Sequence, residues 1–279
     1  RKMAEVIRWQ IGDAPLVGVP LAAAIGNFDG VHRGHQKVVA AACEAAKRDG
    51  LVPAIITFDP HPREFFRQEG APFHLVERVE KDRLLSNLQV DRIIHVSFNE
   101  SLRRTDAKDF VSSVLPALGV KQLYAGADFA FGRGRGGQIE TINYHGASVG
   151  IAAFSVPLLQ DENSVVISSS RIRAALQAGD PVAAAKMLGR DWAVAGTVIK
   201  GDQRGQKIGF PTANVALETL QQPAFGVYAV EVDIDDGRFE PQRGAGGVAN
   251  IGVRPTFEKK DVLCEAHLFD SDCDLYGQR

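Results

Sequence analysis

Between residues 20 and 170, short apolar runs alternate with longer stretches of helical spacing, and beyond residue 191 helical spacing all but disappears. That change of period constrains the fold more than any other feature. Residues 21–28, 52–58, 92–96, 122–125 and 151–156 read as strands. After the first of them, Val38, Val39, Ala42, Cys43 and Ala46 recur at helical spacing until Gly50 ends the run. Further helices are expected over 79–88 and, capped by Thr105 or Asp106, as far as Leu115. Strands separated by helices imply βαβ units, and hence a doubly wound parallel sheet covered on both faces. In such sheets ligands sit beyond the carboxyl ends of the strands, where the chain order reverses.

The change itself falls near residue 190. Residues 165–167 read as a strand feeding a helix that ends near Gly179, and Asp180-Pro181 opens a last short helix that Gly189 closes. Beyond it, 192–199, 226–234, 247–251 and 262–269 read as strands joined by glycine-rich connections. A small closed or nearly closed β-barrel is the economical solution, because closure removes exposed edges. At 279 residues the chain exceeds what one core usually supports. We expect an α/β domain over 1–187 and an all-β domain over 188–279. Because the chain opens on Arg1, a stretch is expected to precede it.

The chemistry of the first half gathers at strand ends. Gly26-Asn27-Phe28-Asp29-Gly30-Val31-His32-Arg33-Gly34-His35 joins the first strand to the first helix. Gly26, Gly30 and Gly34 remove side chains where backbone turns tightly or meets a ligand, and the helix N-terminus offers N–H groups to an anion. His32 and His35 are three apart, so a helix starting near Val31 puts both rings on one face, beside a nucleotide phosphate. Phe58-Asp59-Pro60-His61-Pro62 follows the second strand, and a loop at 126–135, holding Asp128, Arg133 and Arg135, follows the fourth. One crevice can take all three. Ser168, Ser169, Ser170, Arg171 and Arg173 then stand at another helix start and form a second anion pocket, although such hydroxyls also serve as plain helix caps. Two such pockets suit a reaction on a polyphosphate, in which one phosphate is attacked while charge gathers on the departing group.

The second half has its own dissonant stretch. Gly201, Gly205 and Gly209 alternate with Arg204 and Lys207, then Phe210 and Pro211 lead to Thr212 and Asn214. In extended chain Thr212 and Asn214 share a side, where neutral oxygens can serve Mg²⁺ that is otherwise held by ATP. Alternation over 264–268 sets Glu265 and His267 opposite Cys264, Ala266 and Leu268. A carboxylate on that face is either simply solvated or the group that accepts an alcohol proton in a kinase.

Composition narrows the partners. A net charge of −2 gives no overall attraction to nucleic acid or an anionic membrane, and the pairs Arg133/Arg135 and Arg171/Arg173 suit a small anion. Cys43, Cys264 and Cys273 lack CxxC spacing, which fits a reducing, cytoplasmic setting. No apolar run approaches the ~18 residues of a membrane span, and no secretory signal opens the chain.

The string at 26–35 resembles the signature of the HxGH nucleotidyltransferases. In its Gly-x-Phe-Asp-Gly-Val-His-x-Gly-His form it is similar to the adenylyltransferase half of the bifunctional prokaryotic riboflavin kinase/FAD synthetases. Ile167-Ser168-Ser169-Ser170-Arg171-Ile172-Arg173 resembles that family's motif for the ATP β and γ phosphates. Gly-Phe-Pro-Thr-Ala-Asn at 209–214, Gly226-Val227-Tyr228-Ala229-Val230, Asn250-Ile251-Gly252 and Glu265-Ala266-His267-Leu268 are similar to its riboflavin kinase domain. The resemblance spans nearly the whole chain in family order. It implies two reactions: phosphorylation of riboflavin to FMN, then adenylylation of FMN to FAD with release of pyrophosphate. The substrates would be ATP, riboflavin and FMN, with Mg²⁺ as the metal and no nucleic acid or membrane as partner.

Residue by residue, the resemblance implies phosphate stabilisation by His32 and His35, and a hold on the leaving end by Ser168 to Ser170 with Arg173. Residues 58–62 and 126–135 would frame the nucleotide and flavin, Asp128 meeting adenine, ribose or flavin. Thr212 and Asn214 would lie at Mg-ATP, and Glu265 would act as general base. The family continues past Tyr276-Gly277 into another strand and helix, so the kinase domain is expected to be incomplete at its C-terminus.

Overall fold

The computed structural model describes residues 3–16, 18–67, 70–199, 212–234, 242–255, 260–269 and 275–279. The chain divides into two compact units, the first holding 1–70 and 78–168, the second 71–77 and 169–279.

The first unit is built on a six-stranded parallel sheet. Its strands are β1 (Glu5–Trp9), β2 (Leu21–Ile25), β3 (Val52–Asp59), β4 (Arg92–Ser97), β5 (Val120–Gly126) and β6 (Ala152–Val156), in the order β1-β4-β3-β2-β5-β6. From β2 the chain moves outward through β3 and β4, then returns to the opposite side of β2 at β5. The order therefore reverses beside β2, and the turn at 26–32 leaves the sheet at that switch point. Alternation divides the strand residues between two cores. Leu21, Ala23, Ile25, Ile56 and Leu123 pack on one face with Phe110, Val114 and Ile142. Ala22, Ala24, Ile55 and Tyr124 pack on the other with Val38, Val39, Ala42 and Ala46 of the helix Arg33–Asp49. Ile55 and Ile56 have no exposed surface, and burying each contributes roughly 1.5–3 kcal/mol.

The parallel sheet covered on both faces is as expected, with adjustments at several elements. The helix Arg33–Asp49 ends where Gly50 takes φ 67 and its N–H reaches the Ala46 carbonyl. Residues 107–117 are helical behind Asp106, whose side chain makes no capping bond, and Phe110–Val114 is a π-turn. Residues 165–167 lie in no named strand: Ile167 N bonds to Leu159 O, Asp161 N to Val165 O, and Gln160 and Val166 form an isolated bridge. β1 escaped the sequence reading because an edge strand that is mostly exposed carries little apolar alternation.

The second unit contains the helices Ser169–Gln177 and Pro181–Leu188 and an antiparallel sheet. Among the described residues that sheet has four strands, β7 (Ala213–Ala216), β8 (Gly226–Ile234), β9 (Gln242–Pro255) and β10 (Lys260–Leu268), in the order β7-β10-β9-β8. Among the described residues, 192–199, expected as a strand, make an isolated bridge, Ile199 to Asn214, and two backbone bonds between Val198 and 277–278. Segment 71–77 joins this unit through backbone bonds of Phe73 and His74 to Thr219, and through Trp192 Nε1 donating to the Leu75 carbonyl at 2.9 Å. Compactness thus places 169–187 with the second unit, where the change of period had put the division at 187.

Candidate functional site

The first site is the turn between β2 and the helix Arg33–Asp49. Phe28 (φ 51), Gly30 (φ 83) and Val31 (φ 46) occupy the left-handed region. Gly30 does so without steric cost, whereas Phe28 and Val31 are strained and held only because both side chains are buried and the Val31 N–H closes onto the Phe28 carbonyl at 3.2 Å. Of the three glycines only Gly30 is required by its φ. Gly34 has a different reason: a Cβ there would lie 3.0 Å from the His32 ring.

His32 is the N-cap of the helix, its Nδ1 accepting from the His35 N–H at 3.3 Å. That bond leaves the proton of a neutral ring on Nε2. The two imidazoles stack with centroids 3.6 Å apart, and Phe28 meets His35 edge-on at 5.3 Å. His32 is 6% exposed, and His35 Nδ1 is buried without a hydrogen-bond partner. Burial first, then the neighbouring His32 and Lys81, hold the His35 pKa well below its usual value. His35 is therefore poorly protonated at rest and gains most from an anion, whose charge reverses that bias. Gly34→Ala must push the His32 ring aside, and it is expected to lower adenylyl transfer by up to about 100-fold with the helix intact. Measuring kcat alongside the far-ultraviolet dichroism checks both parts.

Beneath the turn the helix Arg78–Ser86 brings charged groups that the sequence did not single out. Lys81 donates to the Asn27 carbonyl, Asp82 pairs with buried His95 at 2.8 Å, and Arg78 pairs with Asp59. Asp29 is buried nearby. Glu80-Lys81-Asp82 reads as a solvated helix face, and no periodicity could have marked it as a site.

The strands of the sheet are parallel, so the loops after β2, β3 and β5 all emerge from one edge. Phe58 stands edge-on to Phe98 at 6.2 Å, and Phe65 and Phe66 pack on the same ring. Asp128 is exposed in a turn where Phe129 N closes onto Gly126 O, and Arg133 is paired with Asp106 at 2.9 Å. Ser168 ends this unit.

Ser169, Ser170, Arg171 and Arg173 belong to the second unit and open its first helix, with Ile172 buried beneath them. Arg173 Nε donates to the Phe73 carbonyl at 2.8 Å, and its guanidinium lies over the Phe73 ring. Gly201, Lys207, Gly209, Phe210 and Pro211 lie outside the described residues.

The sheet of the second unit assembles the other candidate groups. Glu265 on β10 is in register with Asn214 on β7 and with Asn250 on β9, so three polar side chains from adjacent strands share one face. Thr212 precedes Asn214 by two and falls on that side. Asn214 is 4% exposed. Neutral hard oxygens beside a carboxylate fit Mg²⁺ that takes its remaining ligands from ATP and water. Among the described residues there is no cluster of three His, Cys, Asp or Glu side chains fit to hold a metal. Asn250 was legible only as part of a motif, since its partner in space is far away in sequence.

Comparison with known proteins bears on both units. A family model described as FAD synthetase matches residues 19–171, and one described as riboflavin kinase matches residues 188–279. The bifunctional riboflavin kinase/FMN adenylyltransferase of Pseudomonas fluorescens is 41% identical over 92% of this chain and 81% of its own length. The enzyme of that name from Escherichia coli K12 is 39% identical over 96% of this chain and 83% of its own length. Among solved structures, that of a macrolide-efflux protein from Streptococcus pneumoniae superposes with a TM-score of 0.82 at 30% identity, covering 98% of this chain and 88% of the other. No helix among the described residues is long and apolar enough to cross a membrane.

Proposed function

Since the chain belongs to the bifunctional riboflavin kinase/FMN adenylyltransferase family, we propose that its two residue constellations divide the two reactions between them. The protein converts riboflavin to FMN with ATP, then FMN to FAD with a second ATP. The observation that carries the division is that the two units hold chemically distinct groups: stacked imidazoles at a helix N-terminus in one, and an in-register Asn-Glu-Asn row in the other.

In the kinase domain, over 188–279, Glu265 accepts the proton of the ribityl 5′-hydroxyl as its oxygen attacks the γ phosphorus of ATP and expels ADP. Thr212 and Asn214 hold Mg²⁺, which when bound neutralises charge on the ATP oxygens. In the adenylyltransferase domain, over 1–187, an FMN phosphate oxygen attacks the α phosphorus and expels pyrophosphate. His32 and His35 stabilise the charge that develops there, and Ser168, Ser169, Ser170 and Arg173 hold the departing end. Phe58, Asp128 and their loops frame the flavin and the nucleotide, and 201–211 line the kinase nucleotide. No covalent enzyme intermediate is required. The setting is cytoplasmic, where both nucleotides and flavins circulate.

Incubation with riboflavin, ATP and Mg²⁺, followed by separation of the flavins, is expected to show FMN first and FAD after it. Chelation should stop FMN formation, and excess Mg²⁺ should restore it. FMN formation that proceeds undiminished in chelator would remove Thr212 and Asn214 from the metal role.

A further inference from the structure

A half-buried cation stands behind the phosphate turn. The Lys81 ammonium donates to the Asn27 carbonyl at 2.7 Å and to the Thr57 hydroxyl at 3.0 Å, while that hydroxyl donates to the same carbonyl at 3.2 Å. Thr57 is wholly buried on β3. Taking an ammonium out of water is costly, and an apolar side chain of similar length would serve stability better, so packing does not account for a lysine here. Burial lowers its pKa to about 8, while Asp29, Asp82 and Asp59 favour its charge and Arg78 opposes it. Asp82 is itself paired with His95, and the ammonium is one of the charges that disfavour protonation of His35.

What the lysine fixes is a peptide plane. The Asn27–Phe28 bond is trans, so holding its carbonyl toward Lys81 directs the Phe28 N–H the opposite way. That N–H has no hydrogen-bond partner among the described residues. Phe28 sits at φ 51, which an L-residue abandons when its neighbours release it. We propose that Lys81 is a positioning residue for adenylyl transfer: with Thr57 it locks the Asn27–Phe28 peptide so that the Phe28 N–H is presented to a nucleotide phosphate. The inference rests on the assignment of adenylyl transfer to this turn.

The test uses the intact protein and follows FAD formation from supplied FMN, with FMN formation from riboflavin as internal control. Lys81→Met is expected to lower kcat for FAD formation about 10- to 100-fold, with KM for FMN and the kinase rate unchanged. Wild-type kcat should fall as the ammonium loses its proton above about pH 8. That limb should vanish in Lys81→Met and be absent from Lys81→Arg, which keeps the charge and recovers part of the rate. In the methionine variant His35 should take up its proton at higher pH, read by NMR titration of its ring. If Lys81→Met loses its fold by circular dichroism, Thr57→Val carries the test, with a similar fall in kcat expected. A folded Lys81→Met with wild-type kcat and a wild-type alkaline limb overturns the inference, as does a proportional loss of both activities. Wild-type protein that makes no FAD from FMN overturns instead the assignment of adenylyl transfer to the turn.

Discussion

His35→Ala is expected to cut FAD formation from supplied FMN by about 10²- to 10³-fold, the cost of removing one preorganised donor from developing charge. FMN formation from riboflavin should continue at its normal rate. The ring is stacked on His32, with Nδ1 buried and unpartnered and its pKa held low by burial, His32 and Lys81. Such a group is ill matched to the empty site and well matched to a polyphosphate, so its interaction energy appears when the anion and the transition state arrive. The fold should survive, because the helix cap is the His32 side chain and needs only the backbone N–H of residue 35. Separate initial rates for the two half-reactions are the measurement. Loss of both activities, or retention of FAD formation, would detach His35 from the proposed role.

Glu265→Gln is the mirror experiment. Glutamine preserves size and hydrogen bonding on β10 but cannot accept a proton at neutral pH, so FMN formation should fall about 10²- to 10⁴-fold. FAD formation from supplied FMN should be untouched, and KM for riboflavin should move little. The sheet register that sets Glu265 opposite Asn214 and Asn250 depends on backbone pairing, which the substitution leaves in place. Equal loss of both reactions would contradict two separate sites.

The two substitutions also mark how much of each site was legible. Residues 26–35 declared themselves because the chemistry and the turn that supports it lie within ten residues of one another. Glu265 was ambiguous by itself, a carboxylate on one face of a strand, until register put two asparagines beside it. The expected strand at 192–199 differs for a related reason: its apolar pattern is right, but among the described residues its backbone finds partners at only a few points.

The sequence by itself determined the parallel sheet, the all-β second half and the phosphate turn, because periodicity and local motifs are written within single elements, while the two reactions entered through its resemblance to a family. Only the tertiary structure decided that 71–77 packs with the second unit, that Asn214, Glu265 and Asn250 share a face, and that Lys81 lies under Asn27. Each of these joins residues remote in the chain, and a half-buried lysine among helix charges differs from a solvated one only by what folds over it.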